Sequence, residues 1–178
     1  MHNTMKKEII IQLEDKEIYA ILNEVSKEKI VLYVPGSNGK FQGEDFDNFE
    51  KKLEKKKISF LRFKMRGYYE GDSIDNYNFE IIKKDIGEII NFIKKEGFTK
   101  IGVIGKSMAA IFLLLPPIEK IESLILWAPA ISLSEKSNLP RLKTKPFSKI
   151  KSTKEFSVDL QILKQINYPV MSMNGDSD

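Results

Sequence analysis

Cysteine is absent from the 178 residues, and histidine occurs once, as His2. Without Cys there is no disulfide framework, no thiolate metal site and no Cys nucleophile. A lone His beside a fraying N-terminus is badly placed to serve as a base or a metal ligand. Charge of one sign is not in large excess: 29 Lys and Arg against 25 Asp and Glu leave +4. That balance is too small, and too dispersed, to argue for nucleic acid as a partner. Long hydrophobic runs are missing as well. The longest candidate, Ile111 to Leu115, stops at Pro116-Pro117, far short of the roughly 20 apolar residues that cross a bilayer. Ile9-Ile10-Ile11 gives way at once to charged residues, with no small-residue cleavage site after it. No signal peptide is read, and a cytoplasmic location is expected.

What is present is 42% hydrophobic and 30% charged residues, an ordinary composition for one domain able to bury a core. Ile9, Ile11 and Leu13 alternate with polar neighbours, Asp15-Lys16 offers a turn, and Ile18, Ala20 and Leu22 alternate again. This predicts an antiparallel hairpin at a sheet edge. Short continuous apolar runs follow at Ile30 to Val34, Ile58 to Phe63, Ile101 to Ile104, Leu124 to Trp127 and Pro169 to Met173. Such runs predict strands buried on both faces, as in a parallel sheet.

Helical spacing lies between them. Phe46, Phe49 and Leu53 form one apolar stripe, with Lys51, Lys52, Lys55, Lys56 and Lys57 as a solvated face. Phe79, Ile82, Ile86, Ile89, Ile90 and Ile93 form a longer one, closed by Gly97. Met108 to Leu115 reads as a short central helix stopped by prolines. Strands alternating with helices predict an α/β fold with a doubly wound, mostly parallel sheet, whose ligands bind at the carboxyl ends of the strands. The stretch 131–167 breaks the alternation; it is rich in Ser, Lys and Pro, only Val158, Leu160, Ile162, Leu163 and Ile166 suggest a helix, and it is expected to pass over the top of the sheet. Within it, Lys136, Arg141, Lys143, Lys145, Lys149, Lys151 and Lys154 form a basic stripe, read as a solvated loop before a site for anions, an acidic lipid surface or a partner.

One strand runs directly into Gly105-Lys106-Ser107-Met108-Ala109 and then an apolar helix. A nucleophile elbow needs this layout: the serine sits in a strained turn, and small residues two before and two after let strand and helix approach. A helix N-cap is the plainer role for that serine. A phosphate loop ending in Gly105-Lys106-Ser107 requires Gly where Lys100 stands, and no loop precedes Gly105. The Gly-rich loop Val34-Pro35-Gly36-Ser37-Asn38-Gly39, otherwise a simple turn, suits the second half of an oxyanion hole, where the N–H of Ser37 joins that of Met108.

With these two motifs, Arg66-Gly67-Tyr68-Tyr69-Glu70-Gly71-Asp72-Ser73, Leu126-Trp127-Ala128-Pro129-Ala130 and Tyr168-Pro169-Val170 through Gly175-Asp176-Ser177-Asp178, the chain resembles an α/β-hydrolase along nearly its whole length. The resemblance implies Ser107 as nucleophile, the Ser37 and Met108 N–H groups as oxyanion hole, and Gly36, Gly105 and Ala109 as supporting residues. It also implies Asp178 as the acid that orients a histidine, with Asp176 as the alternative. It makes 131–167 a short cap within a single domain 1–178. Pro35 stands where many relatives carry His, a position that is not the catalytic base.

The family order is Ser, Asp, His, and no His follows Asp178. The expectation is therefore a domain incomplete at its C-terminus, lacking a strand and two helices of about 50 residues, and impaired as it stands. A truncated product or fragment is favoured over an evolved pseudoenzyme, because the last strand would keep an uncovered apolar face or edge. The implied activity of the complete protein is hydrolysis of small carboxylic esters or thioesters through an acyl-enzyme, with no metal or organic cofactor. A peptidase of the same fold and an inactive ligand- or partner-binding domain are the alternatives.

Overall fold

The structure is a computed structural model that describes residues 5–70, 72, 79–114, 117–130, 132–133, 156–157 and 160–174. Its centre is a seven-stranded sheet in the order β1-β2-β4-β3-β5-β6-β9. The first two strands, β1 (Met5–Gln12) and β2 (Glu17–Glu24), form the expected antiparallel hairpin, with Ile9 opposite Ala20 and Ile11 opposite Ile18. β2 joins β4 (Ser59–Phe63) antiparallel. From there the pairings of β4 with β3 (Lys29–Val34), β3 with β5 (Lys100–Lys106), β5 with β6 (Ser123–Trp127) and β6 with β9 (Val170–Met173) are all parallel.

Side-chain alternation sorts the strands between two layers. Leu32, Val34, Leu61, Phe63, Val103 and Leu124 pack into the larger core with α2 (Phe79–Lys95) and α3 (Ala109–Leu114). Tyr33, Phe60 and Ile104 face the other way, onto Phe46, Phe49 and Leu53 of α1 (Glu44–Glu54). Each helix follows its sequence signal. α1 carries Glu44, Asp45 and Asp47 in its first turn, where carboxylates offset the helix dipole. α2 buries Ile82, Ile86, Ile89, Ile90 and Ile93 and is followed by Gly97 at φ 87, a conformation that costs glycine little. α3 buries all six of its residues; Leu115 and Pro116 lie outside the described residues.

Two features correct the sequence reading. β3, β4 and β5 are enclosed on both faces, but β6 is only half enclosed and β9 is mostly exposed. Among the described residues no apolar layer covers the α1-side face beyond Ile125, so Trp127, Met171 and Met173 are 44%, 58% and 48% exposed there. The apolar stretch 158–166, read as a helix, is a 3₁₀ turn over Leu160–Gln165. Little else of 131–167 is described beyond β7 (Ser132–Leu133) paired antiparallel with β8 (Phe156–Ser157). The basic stripe 136–154, and with it most of the expected cap, falls outside the described residues.

Candidate active site

Ser107 follows the last residue of β5 and has φ 52, in the left-handed region that non-glycine residues rarely occupy. Three hydrogen bonds hold it there. Its N–H donates to the Trp127 carbonyl at 2.9 Å, and its carbonyl accepts from the N–H groups of Ala110 at 3.1 Å and Ala130 at 3.0 Å. The serine is thus tied both to the first turn of α3 and to the end of β6, so the surroundings fix a conformation that is costly in isolation. Gly105 has its own reason to lack a side chain. A Cβ there would collide with Leu113 Cδ1 and lie 3.5 Å from Ala109 Cβ, so Gly105 and Ala109 let α3 sit directly on β5.

The loop after β3 comes against this turn. A Cβ on Gly36 would lie 2.9 Å from the Lys106 carbonyl oxygen and 3.1 Å from Ser107 Cβ. The Gly39 N–H donates to the Gly36 carbonyl at 2.9 Å, with Gly39 at φ 62. The Gly36 carbonyl and the Ser37 N–H belong to one planar peptide and point in opposite directions. The turn that captures the carbonyl therefore aims the Ser37 N–H out of the loop. Among the described residues neither the Ser37 nor the Met108 N–H donates a hydrogen bond.

A strap outside these motifs braces the loop. The Tyr68 hydroxyl donates to the Ser37 carbonyl, and its ring occupies the space beside Gly39, where a Cβ would be 2.5 Å from Tyr68 Cδ1. The strap is anchored by Arg66, whose Nε and Nη2 donate to the two carboxylate oxygens of buried Asp85 on α2, both at 2.8 Å. Arg66 also reaches Asp15 in the hairpin turn. Asp85 and Asp15 hold the guanidinium well above its ordinary value. Asp72 closes the strap by accepting from the Gly67 N–H at 2.9 Å and from Lys16 at 2.7 Å. Burial pushes the Asp72 carboxyl up, but Lys16 and the Gly67 N–H outweigh it and hold it below its ordinary value. Sequence reading placed Tyr68 in a motif without giving it a role; its contact with Ser37 joins residues 31 positions apart.

Lys106 turns away from this loop, onto the indole of Trp127 at 4.6 Å. β9 lies beside β6, with Met173 opposite Trp127 and the Met173 carbonyl accepting from the Ala128 N–H at 2.6 Å. The carboxyl end of β9 is therefore at the same end of the sheet as Ser107. Asp178, its alternative Asp176, and His2 lie outside the described residues. Among the described residues no group of three His, Cys, Asp or Glu could hold a metal ion, and no helix is long and apolar enough to cross a membrane.

No family model matches the sequence, and no curated protein does. Solved structures do. The esterase Pf2001 of Pyrococcus furiosus superposes with TM-score 0.68 at 20% identity, over 95% of this chain and 69% of that one. The chain has the α/β-hydrolase fold. The acylaminoacyl peptidase of Pyrococcus horikoshii superposes on the fold with TM-score 0.66 at 14% identity, over 96% of this chain and 31% of that one. The thioesterase domain of the curacin biosynthetic pathway gives TM-score 0.58 at 19% identity, over 79% and 50%. The chain spans about half the length of two further matches, 53% of a hydrolase of Agrobacterium vitis and 46% of a proline iminopeptidase-related protein of Thermus thermophilus.

Proposed function

We propose that this chain carries the nucleophile, the oxyanion hole and the acid of a serine hydrolase that cleaves small carboxylic esters or thioesters. The observation that carries this reading is the close approach of Gly36 to Ser107, which sets the Ser37 loop beside a serine held at φ 52. Ser107 Oγ attacks the substrate carbonyl, and the alcohol or thiol leaves to give an acyl-enzyme, which water then hydrolyses. The N–H groups of Ser37 and Met108 take the charge on the oxyanion as it forms. One such donor is worth about 3 kcal/mol. Asp178, after β9, is the acid that would orient the base.

The general base is a histidine in this mechanism, and the one histidine of the sequence is His2. The second reading is a hydrolase-like domain that binds ligand or partner without turnover. Hydrolysis of p-nitrophenyl acetate by the chain and by Ser107→Ala separates the two. An oxyanion hole and binding alone leave about 10³-fold catalysis over water when a triad member is missing. That residual rate does not depend on the serine, so the hydrolase reading predicts that imidazole, added as an external base, speeds hydrolysis by the chain beyond its own reaction with the ester and does not do so for Ser107→Ala. An imidazole effect that is equal in the two proteins favours the binding reading. A thioester series run in parallel reports the preferred leaving group.

A further inference from the structure

α3 is six residues long, whereas β5 beneath it has seven. A helix of that length rises about 9 Å and the strand about 23 Å, so α3 spans only part of β5; at the amino ends of the strands Ile101 and Leu124 stay buried, and an open space lies outside the sheet, beside α2. The space is bounded by α2, by residues 117–120 entering β6 and by residues 165–168 entering β9, and it encloses about 780 Å³. Both entering segments meet the sheet at the amino ends of their strands, whereas Ser107 stands at a carboxyl end. The cavity is therefore distinct from the candidate active site, and its volume is in the range of small-molecule sites.

Its lining combines an apolar floor with cations. Ile90, Ile118 and Ile166 supply the floor, and the Tyr168 hydroxyl fixes part of it by donating to the Ile118 carbonyl at 2.7 Å. Lys83 and Lys120 border the space, with Glu119 as the one carboxylate of its lining among the described residues. Burial pushes the Lys83 ammonium below its ordinary value against the opposing pull of Glu80. Gly87 lies in the middle of α2 and faces the cavity. Glycine inside a helix costs about 1 kcal/mol relative to alanine, and nothing lies within 4 Å of where its Cβ would be. Close packing does not call for a glycine there; its effect is to keep the cavity wall open.

We propose that this cavity is a second binding site, for a small amphiphilic anion whose carboxylate or sulfonate meets Lys83 and Lys120 while its apolar body lies on Ile90, Ile118 and Ile166. The site is independent of catalysis at Ser107, so its test needs no turnover.

The probe is 8-anilinonaphthalene-1-sulfonate, titrated by fluorescence against the full chain, with uncharged N-phenyl-1-naphthylamine as its partner. The sulfonate binds saturably at one site, and the uncharged ring binds about tenfold or more weakly, because a charge-assisted contact is lost. Gly87→Leu fills the cavity from a position with open space; it abolishes sulfonate binding while Tm stays level or rises. Lys83→Met weakens the sulfonate about tenfold and leaves the uncharged probe unchanged, and it decides the matter should Gly87→Leu fold poorly. Three results overturn the proposal: no saturable binding, equal affinity for both probes, or sulfonate binding that survives Gly87→Leu in a folded protein or Lys83→Met. Survival in those variants would place the dye elsewhere, as on the exposed face of Trp127, Met171 and Met173.

Discussion

Replacing Gly36 by alanine puts a methyl group where two backbones already touch. The new Cβ would stand 2.9 Å from the Lys106 carbonyl oxygen and 3.1 Å from Ser107 Cβ. An ordinary contact starts near 3.4 Å, so the loop and the serine turn must separate by about 0.5 Å, and neither partner is the free end of a flexible side chain. Gly36 is not among the positive-φ glycines, so the effect comes from space rather than backbone conformation. Overpacking of this kind costs about 1–3 kcal/mol of stability. The displacement also carries the Ser37 N–H away from the oxyanion. Loss of that donor slows acyl transfer about 100-fold. The assay pairs p-nitrophenyl acetate hydrolysis with thermal unfolding, and Gly87→Ala is the control, since its Cβ meets nothing within 4 Å and alanine should stabilise α2 by about 1 kcal/mol. A Gly36→Ala variant that keeps the parent rate would refute the role given to this loop.

Three further outcomes are expected. Tyr68→Phe removes the hydroxyl that holds the Ser37 carbonyl; loss of one net hydrogen bond near 1 kcal/mol lowers Tm by about 2–4 °C, and the loosened Ser37 loop slows ester hydrolysis. Arg66→Lys cannot reproduce the two parallel bonds to buried Asp85, and denaturant unfolding should show a loss of about 2–4 kcal/mol. Arg66 holds the Asp15 carboxyl below its ordinary value, and Lys16 with the Gly67 N–H does so for Asp72 against burial. The stability these carboxylates supply is complete above their unfolded pKa near 4 and is lost as pH falls through the lower folded values. Tm should therefore drop below about pH 4, and Asp72→Asn should flatten that drop.

Local periodicity carried most of the fold. Alternation in Ile9 and Ile11 marked β1, and the isoleucine stripe from Ile82 to Ile93 marked α2, because each pattern is written within one element. Gly105 and Ala109 were legible as the small residues around a strained serine, and the structure sets them where strand and helix meet. The misses are contacts between distant residues. No spacing in Arg66 to Asp72 announces that Tyr68 will reach Ser37, or that Arg66 will pair with Asp85. The exposure of β6 was hidden because an apolar run reads alike whether or not a layer covers it, whereas that of β9 matches the uncovered face or edge expected of the last strand. The cavity lies between α2 and the segments entering β6 and β9, a relation among distant elements that their separate patterns do not express.

The most direct measurement is treatment of the chain with a fluorophosphonate, followed by digestion and mass mapping of the modified peptide. The serine of the Gly105-Lys106-Ser107-Met108-Ala109 turn should carry the phosphonate, labelling should quicken when imidazole is added as an external base, and Ser107→Ala should stay unmodified. Modification spread over other serines, or none at Ser107 even with imidazole, would contradict the assignment of Ser107 as the nucleophile.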